Sequence, residues 1–279
     1  MKLSAPHLVL TLLSLASWAW LQRPVCAEHD GKVQILLLGD STTEGSVPRR
    51  HVPDGPHLED VIRELLAEEP DLPATNVINL GLSGEYIQRL LDSGRYDKQV
   101  ADLPGLDFIL IRYGLNDINR RENFPENFPK DYRQLIERLK ADHPEAQLIV
   151  MTVIPYGDEE RCRQINQLNS AVATAANLPL FDIYPRYAEE LKRGPDMLNY
   201  RRFPLEKIPE NRRGFVKPFV VDGNPPTVEV LDNRLDAHFG HLPGWFGDRH
   251  PNLAGYHVIG DETARYLIPR IRERFAAKK

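Results

Sequence analysis

Cysteine is scarce: the 279-residue chain has two, Cys26 and Cys162. An apolar stretch able to span a bilayer is missing as well, since the leading run over residues 8–21 falls short of the ~20 residues a span needs. That run follows Lys2 and ends ahead of the small residues of "PVCA", the pattern of a secretory signal peptide cleaved after Ala27. A secreted or periplasmic location is therefore expected, with no stable membrane insertion after cleavage. Cys162 would then be the one remaining thiol, and no internal disulfide can form even where the compartment permits it. Stability must come from an apolar core, and the 252 residues left after residue 27 are ample for one domain.

Positive charge is also in deficit. The full chain has 35 basic against 40 acidic side chains. Loss of residues 1–27 removes Lys2 and Arg23 and no acid, which leaves 33 against 40 and a net charge of −7. Such a balance argues against a nucleic-acid partner. Internal repeats and low-complexity tracts are absent. So is a metal-ligand spacing: Asp236, His238 and His241 in "DAHFGH" have no matching ligand pair nearby, and neither a metal nor a cofactor is expected.

What the chain has is rhythm. Apolar runs recur at 33–38, 76–80, 108–113, 147–154 and 178–183, with helical patterns between them. "HLEDVIRELLAEE" puts Leu58, Val61, Ile62, Leu65 and Leu66 on one helix face. "PKDYRQLIERLKADHP" does the same with Tyr132, Leu135, Ile136 and Leu139, and Pro129 suits the start of that helix. "DEERCRQINQLNSAVATAAN" is a third, and residues 253–277 close the chain with a fourth. Strands alternating with helices predict right-handed crossovers and a five-stranded parallel sheet between two helix layers. Residues 194–247 break the pattern, being rich in Pro, Arg, Asn and Gly with scattered aromatics. A stretch this long is expected to be an ordered loop or cap inserted in a single domain over 28–279.

The first strand breaks into "GDSTTEG" at residues 39–45. Taken alone this is a turn capped by Asp40 or Ser41. Three further segments change the odds: "NLGLSG" with Gly81, "YGLND" with Asn116, and "GDRHPN" with His250. The first two follow strands and the third precedes the last helix, so one sheet edge brings all four together. Their residue types suit acyl transfer. A serine hydroxyl needs a base such as imidazole to take its proton. A tetrahedral oxyanion needs fixed donors, for which the backbone N–H groups of Ser41 and Gly81 and the amide of Asn116 are the candidates.

"GDSTT", "NLGLSG", "GLND" and "HPN", in that order, resemble the four sequence blocks of the SGNH hydrolase superfamily, the GDSL esterases. The resemblance implies a flavodoxin-like three-layer α/β/α sandwich, with Ser41 as nucleophile, His250 as base, and Ser41, Gly81 and Asn116 as the oxyanion hole. The family usually places an aspartate three residues before the histidine; here that position is Gly247, and Asp248 lies two before His250. Either Asp248 reaches the imidazole through a tighter turn, or a backbone carbonyl or another acid orients the ring. Asp248 is the expected third member.

The expected activity is hydrolysis of carboxylic esters through an acyl-enzyme, with O-deacetylation of a small or polymeric carbohydrate as the substrate reading. The alternatives are a lipase or lysophospholipase, which would want a continuous apolar wall along the crevice, and a carbohydrate-binding protein with impaired turnover. Asp40 and Asp117 are read as loop braces. Arg112, at a strand end, either pairs with a loop carboxylate or points at substrate. Arg201, Arg202, Arg212 and Arg213 are read as solvated loop charges, and His51, His57, His143 and His257 as ordinary polar residues.

Overall fold

The computed structural model describes residues 31–194 and 196–276; the leader expected at 1–27 lies outside the described residues. Strands β1 (Val33–Gly39), β2 (Thr75–Asn79), β3 (Leu106–Arg112), β4 (Gln147–Met151) and β5 (Leu180–Phe181) form one parallel sheet. Its order is β2-β1-β3-β4-β5, the flavodoxin-like arrangement. Every residue of β1 is buried. That is why its sequence shows no alternation: Val33, Ile35 and Leu37 enter one apolar cluster, while Leu36 and Leu38 enter the other.

The first of those clusters packs β1 against the helices Leu58–Ala67 and Leu253–Ala276. The second packs it against Ile87–Asp92, Phe124–Asp142 and Glu159–Ala175. These are the two helix layers expected from the periodicity. The helix expected to start at Pro129 begins five residues earlier, at Phe124. Phe124, Phe128 and Tyr132 stand four residues apart on its buried face and touch ring to ring, at 4.9 and 5.5 Å. Burial of two extra rings outweighs the backbone bond that Pro129 forfeits. The helix Tyr184–Arg193, with Pro185 in its first turn and Tyr187 buried, was not marked out by the apolar pattern.

The described residues of 194–247 form ordered structure beyond a single loop. They contain β6 (Arg201–Pro204), β7 (Val220–Val221) and β8 (Thr227–Val230), an antiparallel sheet in the order β6-β8-β7. This sheet has its own core, with Phe203, Val216, Val228, Phe239 and Trp245 buried together. Among the described residues no helix is long and apolar enough to cross a membrane.

Candidate active site

In the strand order, neighbours on either side of β1 leave it in opposite directions, so a crevice opens at the carboxyl ends of β1 and β3. The chain leaving β1 there enters a one-turn helix, Ser41–Glu44. Asp40 caps it, its Oδ1 accepting from the Thr42 N–H at 2.9 Å and the Thr42 hydroxyl at 2.8 Å. Burial pushes the Asp40 carboxyl up, against the opposing pull of those bonds and of Arg112 and His250. Arg112 neither lines the cleft nor pairs directly with a carboxylate. It is buried at the end of β3, where Nη2 donates to the Thr42 carbonyl (2.5 Å) and to Thr43 Oγ1 (3.1 Å). The Tyr256 hydroxyl donates to the Ser41 carbonyl at 3.1 Å. Main-chain groups of this turn are thus held by side chains from β3 and the last helix.

Ser41 Oγ lies 2.8 Å from His250 Nε2, across 209 residues of sequence. His250 Nδ1 lies 2.6 Å from Asp248 Oδ1. The two-residue offset closes because Asp248 Oδ1 also accepts the His250 backbone N–H, at 3.0 Å. Aspartate readily bonds to the backbone two residues on, and this turn replaces the longer spacing. An ionised Asp248 requires the proton on Nδ1, which leaves the Nε2 lone pair facing the serine hydroxyl. Burial pushes the Asp248 carboxyl up, yet its bonds to His250 and the nearby Arg202 hold it below the ordinary aspartate value.

Three residues around the imidazole gave no local sequence signal. The Tyr156 hydroxyl lies 3.1 and 3.3 Å from the two ring nitrogens. The Tyr200 ring stacks on the imidazole, 5.7 Å between centroids and 11° between planes. Arg202 Nη2 meets Asp248 Oδ2 at 2.8 Å, which corrects its reading as a solvated loop charge. Arg201 needs the same correction: it is buried and forks onto Asp236 at 2.9 and 2.5 Å. Asp236 is further engaged by the Trp245 indole N–H, and His238 stacks on Phe215. His51 is not ordinary either, since Nε2 lies 2.8 Å from the buried Glu229.

The expected oxyanion donors divide. Asn116 lines the cleft, with one amide N–H donated to the Glu85 carbonyl at 3.0 Å. Asp117 steadies its loop by accepting the Gly114 and Ile87 N–H groups, each at 3.0 Å. Burial pushes the Asp117 carboxyl up to about 7. Gly81 does not fit its expected part. Its N–H donates to Asn79 Oδ1 at 2.9 Å, and it does not line the cleft. Its lack of a side chain serves packing instead: a Cβ there would stand 2.5 Å from the Glu44 nitrogen. The glycine of this motif that lines the cleft is Gly84, at φ +74°. Glu44 fixes that loop by accepting from the Ser83 N–H at 2.7 Å and from the Ser83 hydroxyl.

The cleft holds about 310 Å³. Hydroxyls, amides, tyrosines and one guanidinium dominate its lining, and Val47, Pro48 and Leu115 are its apolar side chains. Of the segment 194–247, expected as a cap, Tyr200 and Arg202 reach the lining; its other aromatics fill the segment's own core or lie elsewhere. Among the described residues no group of three or more His, Cys, Asp or Glu is placed to hold a metal ion.

Comparison with known proteins bears on this geometry. The backbone resembles the acetylxylan esterase Axe2 from Geobacillus stearothermophilus, with a TM-score of 0.51 at 18% identity, over 87% of this chain and 95% of that one. A catalytic mutant of the same enzyme gives 0.52 at 19% identity, over 84% and 94%. No curated protein matches the sequence. Residues 37–203 match the GDSL-like lipase/acylhydrolase family. That span covers more than half of the chain and takes in the Ser41, Gly84 and Asn116 segments, so the protein belongs to that family of SGNH fold and is a carboxylic ester hydrolase.

Proposed function

We propose that the protein is an exported serine esterase that removes acetyl groups from a carbohydrate. Ser41, His250 and Asp248 form its triad, and the Ser41 and Gly84 N–H groups with the Asn116 amide receive the oxyanion. The observation that carries the substrate class is the cleft's polarity: a small, hydroxyl-lined opening with no continuous apolar wall. Such a wall is what a lipase would use to bind an acyl chain. The name of Axe2, an acetylxylan esterase, points the same way.

In this reading Ser41 Oγ attacks the ester carbonyl carbon while His250 Nε2 takes its proton. The oxyanion collapses, the C–O bond to the sugar breaks, and the imidazolium returns the proton to the departing alkoxide. Water then attacks the acyl-enzyme by the same route, releasing acetate and restoring the serine. Asp248 holds the imidazole tautomer and offsets its positive charge in both halves.

The test is acetate release from acetylated xylo-oligosaccharides, alongside p-nitrophenyl acetate and p-nitrophenyl octanoate. Acetyl esters should be cleaved faster than the octanoate, and Ser41→Ala should abolish all turnover. Faster cleavage of the octanoate would replace this reading with a lipase. Export is tested separately: the protein recovered outside the cytoplasm should begin at Glu28.

A further inference from the structure

We propose that Arg202 is a positioning residue for ester hydrolysis, acting through Asp248 rather than on the substrate. The inference rests on the triad reading above and concerns what holds that triad in place. Asp248 Oδ1 is fully engaged by His250, through Nδ1 and the backbone N–H. Its other oxygen, Oδ2, meets the Arg202 guanidinium at 2.8 Å. With both oxygens anchored, rotation of the carboxylate would break a charge-assisted bond on one side or the other. The Asp248 side chain is 7% exposed and that of Arg202 43%, so the cation is the outermost member of the series Ser41, His250, Asp248, Arg202.

The residues that lead into the strand bearing Arg202 are tied to the histidine turn as well. The Tyr200 N–H donates to the His250 carbonyl at 3.3 Å, Asn199 bridges to Pro251, and Asn199 Nδ2 donates to the Asp248 carbonyl at 3.4 Å. Directly across β6 and β8, Arg202 stands opposite Glu229. Glu229 in turn holds Arg50 (2.9 and 2.8 Å) and His51 (2.8 Å), at the end of the helix Ser46–His51. That helix lines the cleft through Ser46, Val47 and Pro48. One two-stranded ribbon therefore grips the triad's acid on one side and a wall of the cleft on the other. Its role is to brace the site.

The charges around the pair set the expected readout. Asp248 and His250 are approached by Arg202 from β6 and by Tyr200 just before it, with Glu229 behind them on β8. Tyr156 approaches from the segment after β4, and Asp40, with Arg112 beside it, from under the nucleophile. Removing the Arg202 cation leaves the Asp248 charge less opposed, which favours the imidazolium and should move the acid limb of kcat/KM to higher pH.

Arg202→Gln, Arg202→Ala and Arg202→Lys are compared on p-nitrophenyl acetate, with Ser41→Ala as blank. Arg234→Gln is the control, an exposed cation of the same segment paired with Asp232. The expected result is a fall in kcat of about 10-fold or more for Gln and Ala, with KM within about twofold and the acid limb shifted upward. Lys should recover most of the rate, and Arg234→Gln should match wild type. An unchanged kcat overturns the proposal. So does a rise in KM alone, which would make Arg202 a substrate contact. A fall in kcat with an unmoved acid limb and no recovery by Lys would make it a structural residue only. Activity surviving in Ser41→Ala would remove the triad reading and this inference with it. An inactive Ser41→Ala beside fully active Arg202 variants would remove the inference alone.

Discussion

Gly81 and Gly84 stand three positions apart in one motif, and only the second faces the cleft. The sequence shows two glycines after a strand and says nothing about which N–H is spent internally. That depends on Asn79 folding back onto Gly81 and on Glu44 reaching across from another segment. The difference predicts opposite balances of damage. Gly81→Ala forces a Cβ against backbone atoms of Thr43 and Glu44, which cannot swing away, and should cost about 1–3 kcal/mol in urea-induced unfolding. Gly84→Ala meets no atom closer than 3.4 Å and pays only for its positive φ, about 1–2 kcal/mol, while the displaced N–H lowers kcat. Asp248, by contrast, was legible as the nearest acid to His250, and a short-range turn delivers it. Asp248→Asn should keep the fold and lower kcat by roughly 10⁴, the scale of losing the correct tautomer in a triad. Near-wild-type turnover in that variant would reduce the site to a Ser–His pair.

Elements were legible where a period or a fully apolar run marks them, and obscure where pairing alone creates them. The five parallel strands, the two helix layers and the converging strand ends follow from β1 to β5 and the amphipathic helices between them. The sheet formed by β6, β7 and β8 does not. Its strands are two to four residues long, and β6 reads Arg-Arg-Phe-Pro, with no alternation to distinguish it from a loop. Its aromatics were visible but their direction was not, since Trp245 and Phe239 face inward into a core shared with Phe203. Tyr156, Tyr200 and Arg202 escaped for the same reason: their contacts with His250 and Asp248 exist only after this sheet and the parallel sheet have met. The segment's core therefore has a consequence at the active site. Trp245→Ala, at a fully buried position, should cost about 3–5 kcal/mol locally. Limited proteolysis should then cut within 194–247 before the parallel sheet, and kcat should fall as the strand bearing Arg202 loosens. Faster cutting with an undiminished kcat would separate the segment from the chemistry.

Across the whole molecule, the carboxylates around the cleft fall into two groups of opposite sign. Burial is the largest influence on Asp40, Glu85 and Asp117, and each is pushed up, Asp117 to about 7. Asp248 is held down instead, by His250 and Arg202. A carboxyl raised on folding keeps its proton when the unfolded chain has already lost it. Between an unfolded value of about 4 and a folded value near 7, the folded state binds more protons, and stability falls as pH rises through that window. A carboxyl lowered on folding works the other way, and its contribution is lost only as pH drops below about 4. These raised carboxyls thus favour mildly acidic solution, while burial of His143, which holds its imidazole below the ordinary value, works against them as pH falls below about 6.5. For Asp117 alone the loss from pH 5 to pH 8 is on the order of 2–3 kcal/mol. Urea unfolding at intervals across that range gives the check, with wild type beside Asp117→Asn, which cannot ionise. The stability of the wild type should decline with pH more steeply than that of the variant. Parallel curves would mean that Asp117 is ionised in the folded state throughout, its two backbone N–H bonds and the end of the helix Ile87–Asp92 outweighing the cost of burying the charge.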